Sequence, residues 1–315
     1  MRLPPIPKLL GRKIYKTGQT RGADDDQVFQ NRVGRNSTVL IPLSVFVQYP
    51  NLRTAPYEKG FIVLVKPSEF FGDWDAAALQ SIGLELGQNA LLFYELREDW
   101  NKWSPDDHGF QEPTSRSAPL GGHYVARIAN TTSKNDVRIN VGFTSTGLKG
   151  AGIRLYEYAS NETANACRMQ LEATFWCAVD AIETMTDAGM SAADIKTRSS
   201  EIKEKASKAG LFDLDRLEEC RILNAAHELV CPLCLERVSA RGFISRLVQA
   251  EGRERHDLTV TEINLFHIQE LAFGVFNHTP YNLGWGHHCN VVCKDAGIDE
   301  TIKWMKSVIA RNDSN

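Results

Sequence analysis

Four cysteines toward the C-terminus occur in two pairs whose spacing suits a metal ion. Cys231 and Cys234 form a C-x2-C pair, and Cys289 and Cys293 form a C-x3-C pair. Two such pairs supply the four thiolates that a tetrahedral structural zinc requires. Because a fully ligated zinc has no open coordination position, this ion should hold a module together, and any catalysis should come from other residues.

The stretch HIQELAFGVFNHTPYNLGWGHHCN, residues 267–290, lies between the two cysteine pairs and is rich in His and Asn. A neutral imidazole near pH 7 can accept a proton from water. A hard divalent cation with oxygen ligands can neutralise the charge that develops on a phosphate. This mixture of residues therefore suits metal-assisted hydrolysis of a phosphodiester.

The same stretch resembles the HNH, or ββα-metal, nuclease pattern, and the resemblance covers residues 231–295. In that pattern a His-Ile pair is followed by Leu, Gly, His-x3-Asn-Leu and a closing Cys-Asn. The matching residues here are His267-Ile268, Leu271, Gly274, His278-x3-Asn282-Leu283 and Cys289-Asn290.

The resemblance implies a role for each matching polar residue. His267 would be the general base that takes a proton from the attacking water. Asn282 would fix the hairpin loop that aims this base, with His278 as structural support. Asn290 would help to hold a catalytic Mg²⁺ against the scissile phosphate, separately from the structural Zn²⁺.

Two departures from the pattern leave alternatives open. Phe266 stands where the family commonly has an Asp or His metal ligand. Either His288, Asn264 or Glu270 substitutes for it, or the metal relies on Asn290, water and phosphate. The zinc ligands could also be Cys231, Cys234, His287 and Cys289, with Cys293 in a helix core. We favour four cysteines, because Cys289 and Cys293 at i and i+4 would share one helix face.

Composition limits the class of protein. The chain has 315 residues, 43% of them hydrophobic, a formal net charge of −3 and seven cysteines. An odd number of cysteines without an export signal favours reduced thiols over a disulfide framework. No apolar run reaches the length of a membrane span, and we expect a cytoplasmic protein.

The N-terminal region is a candidate for reading DNA sequence. Residues 16–38, KTGQTRGADDDQVFQNRVGRNST, interleave Arg, Asn, Gln and Thr with little apolar content. Arg reads guanine and Asn or Gln reads adenine through paired hydrogen bonds in the major groove. An ordinary surface loop is the alternative for each residue. The candidates for base reading are Gln19, Arg21, Gln30, Asn31, Arg32, Arg35 and Asn36.

The apolar patterns of the chain predict both strands and helices. STVLIPLSVFVQYP and KGFIVLVKPSEFF, within residues 37–70, predict strands, and residues 74–88 predict a helix. Residues 121–147 predict a pair of strands joined by a polar turn. Residues 161–188 predict one long helix that ends at Gly189, and 191–209 an exposed helix.

The predicted fold class is α+β. A mixed α/β body for DNA recognition and dimerisation, residues 1–225, would precede a zinc-stabilised HNH-like module, residues 226–315.

The whole chain resembles a type II restriction endonuclease, and more narrowly the BstXI kind, in KTGQTRGADDD and PYNLGWGHHCNVVCKDAGI. The resemblance implies double-stranded DNA as substrate, a homodimer that cuts both strands, and a cognate DNA methyltransferase in the host. Two other functions remain open. One is a modification-dependent or homing-type HNH nuclease, and the other is a non-catalytic zinc-bearing DNA-binding protein.

Overall fold

The computed structural model describes residues 3–15, 38–114, 119–128, 139–141, 153–155, 158–245, 261–269, 271, 274–287 and 298–314. The chain forms two compact units. We call residues Gln19–Asn161 and Leu271–Phe276 the sheet unit. The hairpin unit consists of Met1–Gly18, Glu162–Glu270 and Asn277–Asn315.

The described helices, in chain order, are α1 (Lys8–Tyr15), α2 (Leu43–Gln48), α3 (Pro67–Phe70), α4 (Ala76–Ser81), α5 (Arg97–Lys102), α6 (Asn161–Phe175), α7 (Ala181–Asp187), α8 (Ala192–Lys208), α9 (Leu214–Glu219) and α10 (Ile298–Asp313). Short 3-10 helices cover Pro50–Arg53, Asp106–His108 and Ala240–Phe243. None of the helices in the described part of the chain is long and apolar enough to cross a bilayer.

The described strands are β1 (Val39–Pro42), β2 (Phe61–Val65), β3 (Ala90–Tyr94), β4 (Tyr124–Ile128), β5 (Ile139–Val141), β6 (Ile153–Arg154), β7 (Ile263–His267) and β8 (Leu283–His287). The first six form one sheet in the order β5-β4-β3-β2-β1-β6, and β7 and β8 form a separate antiparallel pair. The sheet is parallel except that β5 runs antiparallel to β4. The molecule is therefore a mixed α/β protein with a parallel sheet.

The sheet unit is built on strands that are apolar along almost their whole length. FIVLV in β2 and ALLFY in β3 bury residues on both faces, as expected of a parallel sheet covered on both sides. Alternate residues divide between two core clusters, so that Val63 and Leu92 pack on one face and Ile62 and Leu91 on the other. The strands predicted within 37–70 are confirmed as β1 and β2, but the prediction is wrong for LSVFVQ and PSEF, which form helices α2 and α3.

The predicted strand pair in 121–147 is confirmed as β4 and β5, which pair Ala126 with Val141. The turn between them lies outside the described residues. The predicted helix over 74–88 is too long, because α4 ends at Ser81. Gly83 has a φ of 80° and Leu84 N bonds back to Leu79 O, a glycine-dependent way to close a helix. Strand β3 was not predicted.

The prediction of one helix over 161–188 is wrong. Helix α6 ends at Phe175 and α7 begins at Ala181. Between them, the carbonyl of Cys177 accepts from Leu229 N, and the Asp180 carboxylate accepts from Ala240 N. The first bond uses a backbone carbonyl that would otherwise bond within a continuous helix, and the second holds the side chain of the residue before α7. Gly189 closes α7 at a φ of 91°, and α8 confirms the helix predicted over 191–209.

The compact units divide the chain near residue 161, whereas the sequence placed a boundary near residue 225. Helix α6 belongs with the C-terminal residues because its Leu171 and Phe175 share a core cluster with Cys231 and Trp285. The roles predicted for the two domains, recognition and cleavage, remain predictions.

Candidate metal centre and active site

The hairpin of β7 and β8 carries most of the described candidate residues. The two strands pair Ile263 with His287 and His267 with Leu283. Trp285, midway along β8, is buried and donates from Nε1 to Leu171 O at 2.8 Å. Trp285 therefore anchors β8 to helix α6 by packing and by this hydrogen bond.

Gly284 and Gly286, on either side of Trp285, allow a close approach to the C-x2-C turn. A Cβ added at Gly286 would lie 2.8 Å from Phe266 Cδ2 and 3.1 Å from Cys231 Sγ. A Cβ at Gly284 would lie 3.0 Å from Pro232 Cγ. The glycines therefore let the cysteine turn pack directly on the strand that ends in His287.

Cys231, Cys234 and His287 form a cluster suited to a metal. Their ligand atoms all lie within 4.8 Å of one another, and Cys234 Sγ is 3.3 Å from His287 Nδ1. The turn that holds the two cysteines is closed by hydrogen bonds from Leu235 N to Cys231 O and from Cys231 N to Glu236 O, each 2.9 Å. Two thiols and an imidazole are a donor set that zinc prefers.

Hydrogen bonds within the cluster shift the pKa values of its members. The hydrogen bond with Cys231, followed by burial, raises the pKa of the Cys234 thiol. The hydrogen bond with Cys231 also raises the pKa of His287, against the opposing effect of burial. The 3.3 Å contact joins His287 to Cys234, whereas the hydrogen bond that raises the pKa of His287 is with Cys231. The distances between ligand atoms describe the cluster better than either single pairing, because both thiols lie beside the imidazole.

The structure brings the predicted ligands Cys231 and Cys234 together with His287, the residue of the alternative zinc set. Cys289 and Cys293 lie outside the described residues, as does Asn290. The choice between the two sets therefore rests on His287 alone, whose position beside both thiols favours the set that includes it. This cluster is the one group of three or more potential metal ligands found among the described residues.

His267 ends strand β7 and is half-buried. Its Nε2 lies 3.0 Å from Nδ1 of His278, which is fully buried. Since a neutral imidazole has one donor and one acceptor nitrogen, this contact can fix the tautomer of His267. His278 is thus placed to support His267, the role that the sequence favoured for it.

Asn282 binds the backbone across the mouth of the hairpin. Its Oδ1 accepts from Gln269 N at 2.6 Å, and its Nδ2 donates to Gln269 O at 3.1 Å and to Asn277 O at 2.7 Å. The Asn282 carbonyl also accepts from Ile268 N at 3.0 Å. These bonds fix the chain immediately after His267, which is what the sequence predicted for Asn282.

Of the three possible substitutes for a metal ligand at Phe266, only Asn264 lies among the described residues. Asn264 donates from Nδ2 to Thr261 O at 3.0 Å and is half-buried. His288 and Glu270 lie outside the described residues. So do the candidate base-reading residues Gln19, Arg21, Gln30, Asn31, Arg32, Arg35 and Asn36.

Lys13 is a buried residue of this region that sequence reasoning missed. Its Nζ donates to Thr261 Oγ1 and to the carbonyl of Ile263, the first residue of β7, and it lies 5.8 Å from the Phe243 ring centroid. Burial lowers the pKa of Lys13 from 10.5 to about 7. The signal in the sequence was its position on the apolar face of α1, at i+3 from Leu10.

A family model for the BstXI restriction endonuclease matches residues 12–288, most of the chain. The class of protein is therefore a restriction endonuclease, a hydrolase that cleaves double-stranded DNA. More narrowly, the chain belongs to the BstXI restriction endonuclease family. The match includes the Cys231, Cys234 and His287 cluster and His267, and it ends before Cys289 and Asn290. No curated protein and no solved structure shows significant similarity to the chain.

Proposed function

We propose that this chain is a homodimeric, site-specific type II restriction endonuclease whose cleavage centre is an HNH-like hairpin supported by zinc. One observation carries the proposal. The hairpin places His267 at the end of β7, fixed by Asn282 and His278, and places His287 of β8 beside two cysteines. Helix α10 follows the hairpin in the chain, which agrees with a strand, strand, helix order.

Zinc would be held by Cys231, Cys234 and His287, with Cys289 as the expected fourth ligand. The donor set fits, because thiolate and imidazole suit zinc and the cysteine turn is closed by backbone bonds before any ion enters. A bound cation would hold both thiols deprotonated. The ion would join the cysteine turn to β8 and so keep the hairpin in place.

His267 would act as the general base. Where its Nε2 donates to His278 Nδ1, the proton is fixed on Nε2, and Nδ1 is the ring atom able to take a proton from water. Asn282 would keep the following turn from shifting the imidazole. A catalytic Mg²⁺, for which Asn290 is the proposed ligand, would stabilise the charge on the phosphate.

Single-turnover cleavage of duplex DNA tests the role of His267. His267→Ala should slow cleavage by about 10²–10⁴-fold, the usual contribution of general acid–base catalysis, while zinc content and DNA binding stay unchanged. His227→Asn is a matched control, because His227 is an exposed histidine of the same unit. Cleavage by the wild type should also fall at acidic pH as the imidazole protonates. A His267→Ala enzyme that cuts at the wild-type rate would exclude this mechanism.

A further inference from the structure

Helix α10 exposes a row of large apolar side chains. Ile302, Met305 and Ile309 are 44%, 50% and 55% exposed. Their i, i+3, i+7 spacing places them on one face, as at the a and d positions of a helix that pairs with another helix. Isolated exposed apolar residues are ordinary, but three on one helical stripe indicate an interaction surface.

Two polar side chains near the end of α10 bind the helix to its own unit. Arg311 Nε donates to Cys234 O at 2.7 Å, and Asn312 Nδ2 donates to Leu233 O at 3.1 Å. Leu233 itself is 43% exposed, which extends the apolar surface from the helix to the cysteine turn. The helix is therefore held in position while its apolar row faces outward. We call Leu233, Ile302, Met305 and Ile309 the α10 patch.

The charged residues beside the patch could pair with the same residues of a second copy. Lys306 and Asp313 are both exposed and lie seven residues apart, so they follow the same edge of the apolar row. A second α10 running antiparallel about a two-fold axis near Ile309 would bring Lys306 of each copy to Asp313 of the other. The same axis would pack the two Ile309 side chains together, with Met305 and Leu233 around them.

We infer that the α10 patch is the contact through which two copies of this chain associate, by antiparallel pairing of their α10 helices. A two-fold contact needs a surface that complements itself, and the apolar row with Lys306 and Asp313 meets that condition. Helix α10 lies beyond residues 12–288, which match the family model. The inference rests on the homodimer of the proposed function and names its interface.

The strength of the contact follows from its size. Four side chains supply only part of the roughly 800 Å² per partner that a stable interface usually buries. The free protein should therefore associate reversibly in a concentration-dependent manner, and DNA that binds both copies should strengthen the association. Because the cysteine turn anchors α10, the pairing would also set the distance between the two cleavage hairpins.

Sedimentation velocity over a range of concentrations, with the full-length zinc-loaded protein, tests the patch. Ile309→Glu should raise the dissociation constant at least about tenfold, as expected for a central apolar contact. Lys306→Asp and Asp313→Lys should each weaken association, and the double variant should restore it because the opposite charges are exchanged. Lys303→Asp is the matched control, since Lys303 is exposed on α10 but lies off the apolar row.

Restoration by the double variant, with no effect of Lys303→Asp, would establish the antiparallel pairing. A wild type that stays monomeric at every concentration and on DNA would overturn it, as would charge variants that associate like the wild type. The His267→Ala variant should still dimerise. Loss of cleavage without loss of association therefore separates a failure of the catalytic proposal from a failure of the interface.

Discussion

The two compact units differ most in what they bury. Among the described residues, the buried polar or charged side chains are Lys13, Arg127, Gln170, Glu172, Thr174, Thr184, Thr261, His278 and Asn282. All of these except Arg127 lie in the hairpin unit. The sheet unit instead fills both faces of its parallel sheet with apolar residues.

This difference indicates where the chemistry lies. An apolar residue in a parallel sheet is explained by packing, whereas a buried polar residue costs free energy unless it is hydrogen-bonded. Four of the buried polar residues of the hairpin unit lie at the β7–β8 hairpin, since Lys13 and Thr261 support β7, and Asn282 and His278 support the residue that ends it. The hairpin unit therefore holds the candidate site.

The largest expected effect comes from the metal cluster. Cys231→Ser or Cys234→Ser should release zinc and unfold the hairpin unit, because structural zinc contributes on the order of 10 kcal/mol to the folding of small modules. Elemental analysis and thermal unfolding of each variant measure this. Cys220→Ser is the control, since Cys220 is a half-buried cysteine outside the cluster. Active wild-type protein without zinc would contradict the proposal.

The next effect concerns Lys13 and the pH dependence of stability. Its pKa of about 7 lies below the unfolded value of 10.5, so between these pH values the unfolded chain binds the extra proton. The free energy of unfolding should therefore rise with pH through this window, by a few kcal/mol at most. In Lys13→Met this part of the rise should disappear.

Urea unfolding of the wild type and Lys13→Met at pH 7 and near pH 10 checks this difference. The exposed Lys208→Met is the comparison, because Lys208 lies on the surface of α8 in the same unit. Equal pH dependence in the wild type and Lys13→Met would mean that Lys13 stays charged when buried. The buried polar residues that mark the hairpin as the candidate site would then be His278 and Asn282.

Sequence alone predicts those parts of the molecule that depend on residues close together in the chain. FIVLV predicts a buried strand from five residues, and Cys231 and Cys234 predict a metal turn from four. Asn282 could be assigned to the hairpin loop because the pattern that names it is local. The fold class and the pairing of β4 with β5 follow from the same kind of signal.

Features that depend on distant partners could not be predicted in this way. The break between α6 and α7 is stabilised by Leu229 and Ala240, far along the chain. Lys13 meets Ile263 across 250 positions of sequence. The proximity of His287 to the two cysteines likewise depends on how β8 packs against the cysteine turn, since Gly284 and Gly286 create that space.

A smaller effect is expected at Asn282. Asn282→Ala removes the partner of Gln269 N and of the carbonyls of Gln269 and Asn277, which should cost roughly 1–3 kcal/mol of stability. Cleavage should slow as well, because the residue that follows His267 loses its support. Urea unfolding and single-turnover cleavage measure the two effects. Asn165→Ala, an exposed position on α6, should change neither.

The last prediction concerns sequence preference, which the amino-acid sequence predicts to depend on residues 19–36. Alanine at Arg21, Arg32 or Arg35 should cost roughly 1–3 kcal/mol of discrimination at one position of the DNA site, because a paired hydrogen bond to guanine is lost. Zinc content and the unfolding of the hairpin unit should not change. Sequencing the ends produced from a library of duplexes shows which positions are relaxed. If alanine at each of Gln19, Arg21, Asn31, Arg32, Arg35 and Asn36 leaves both the cut sites and the affinity as in the wild type, then recognition lies in other residues.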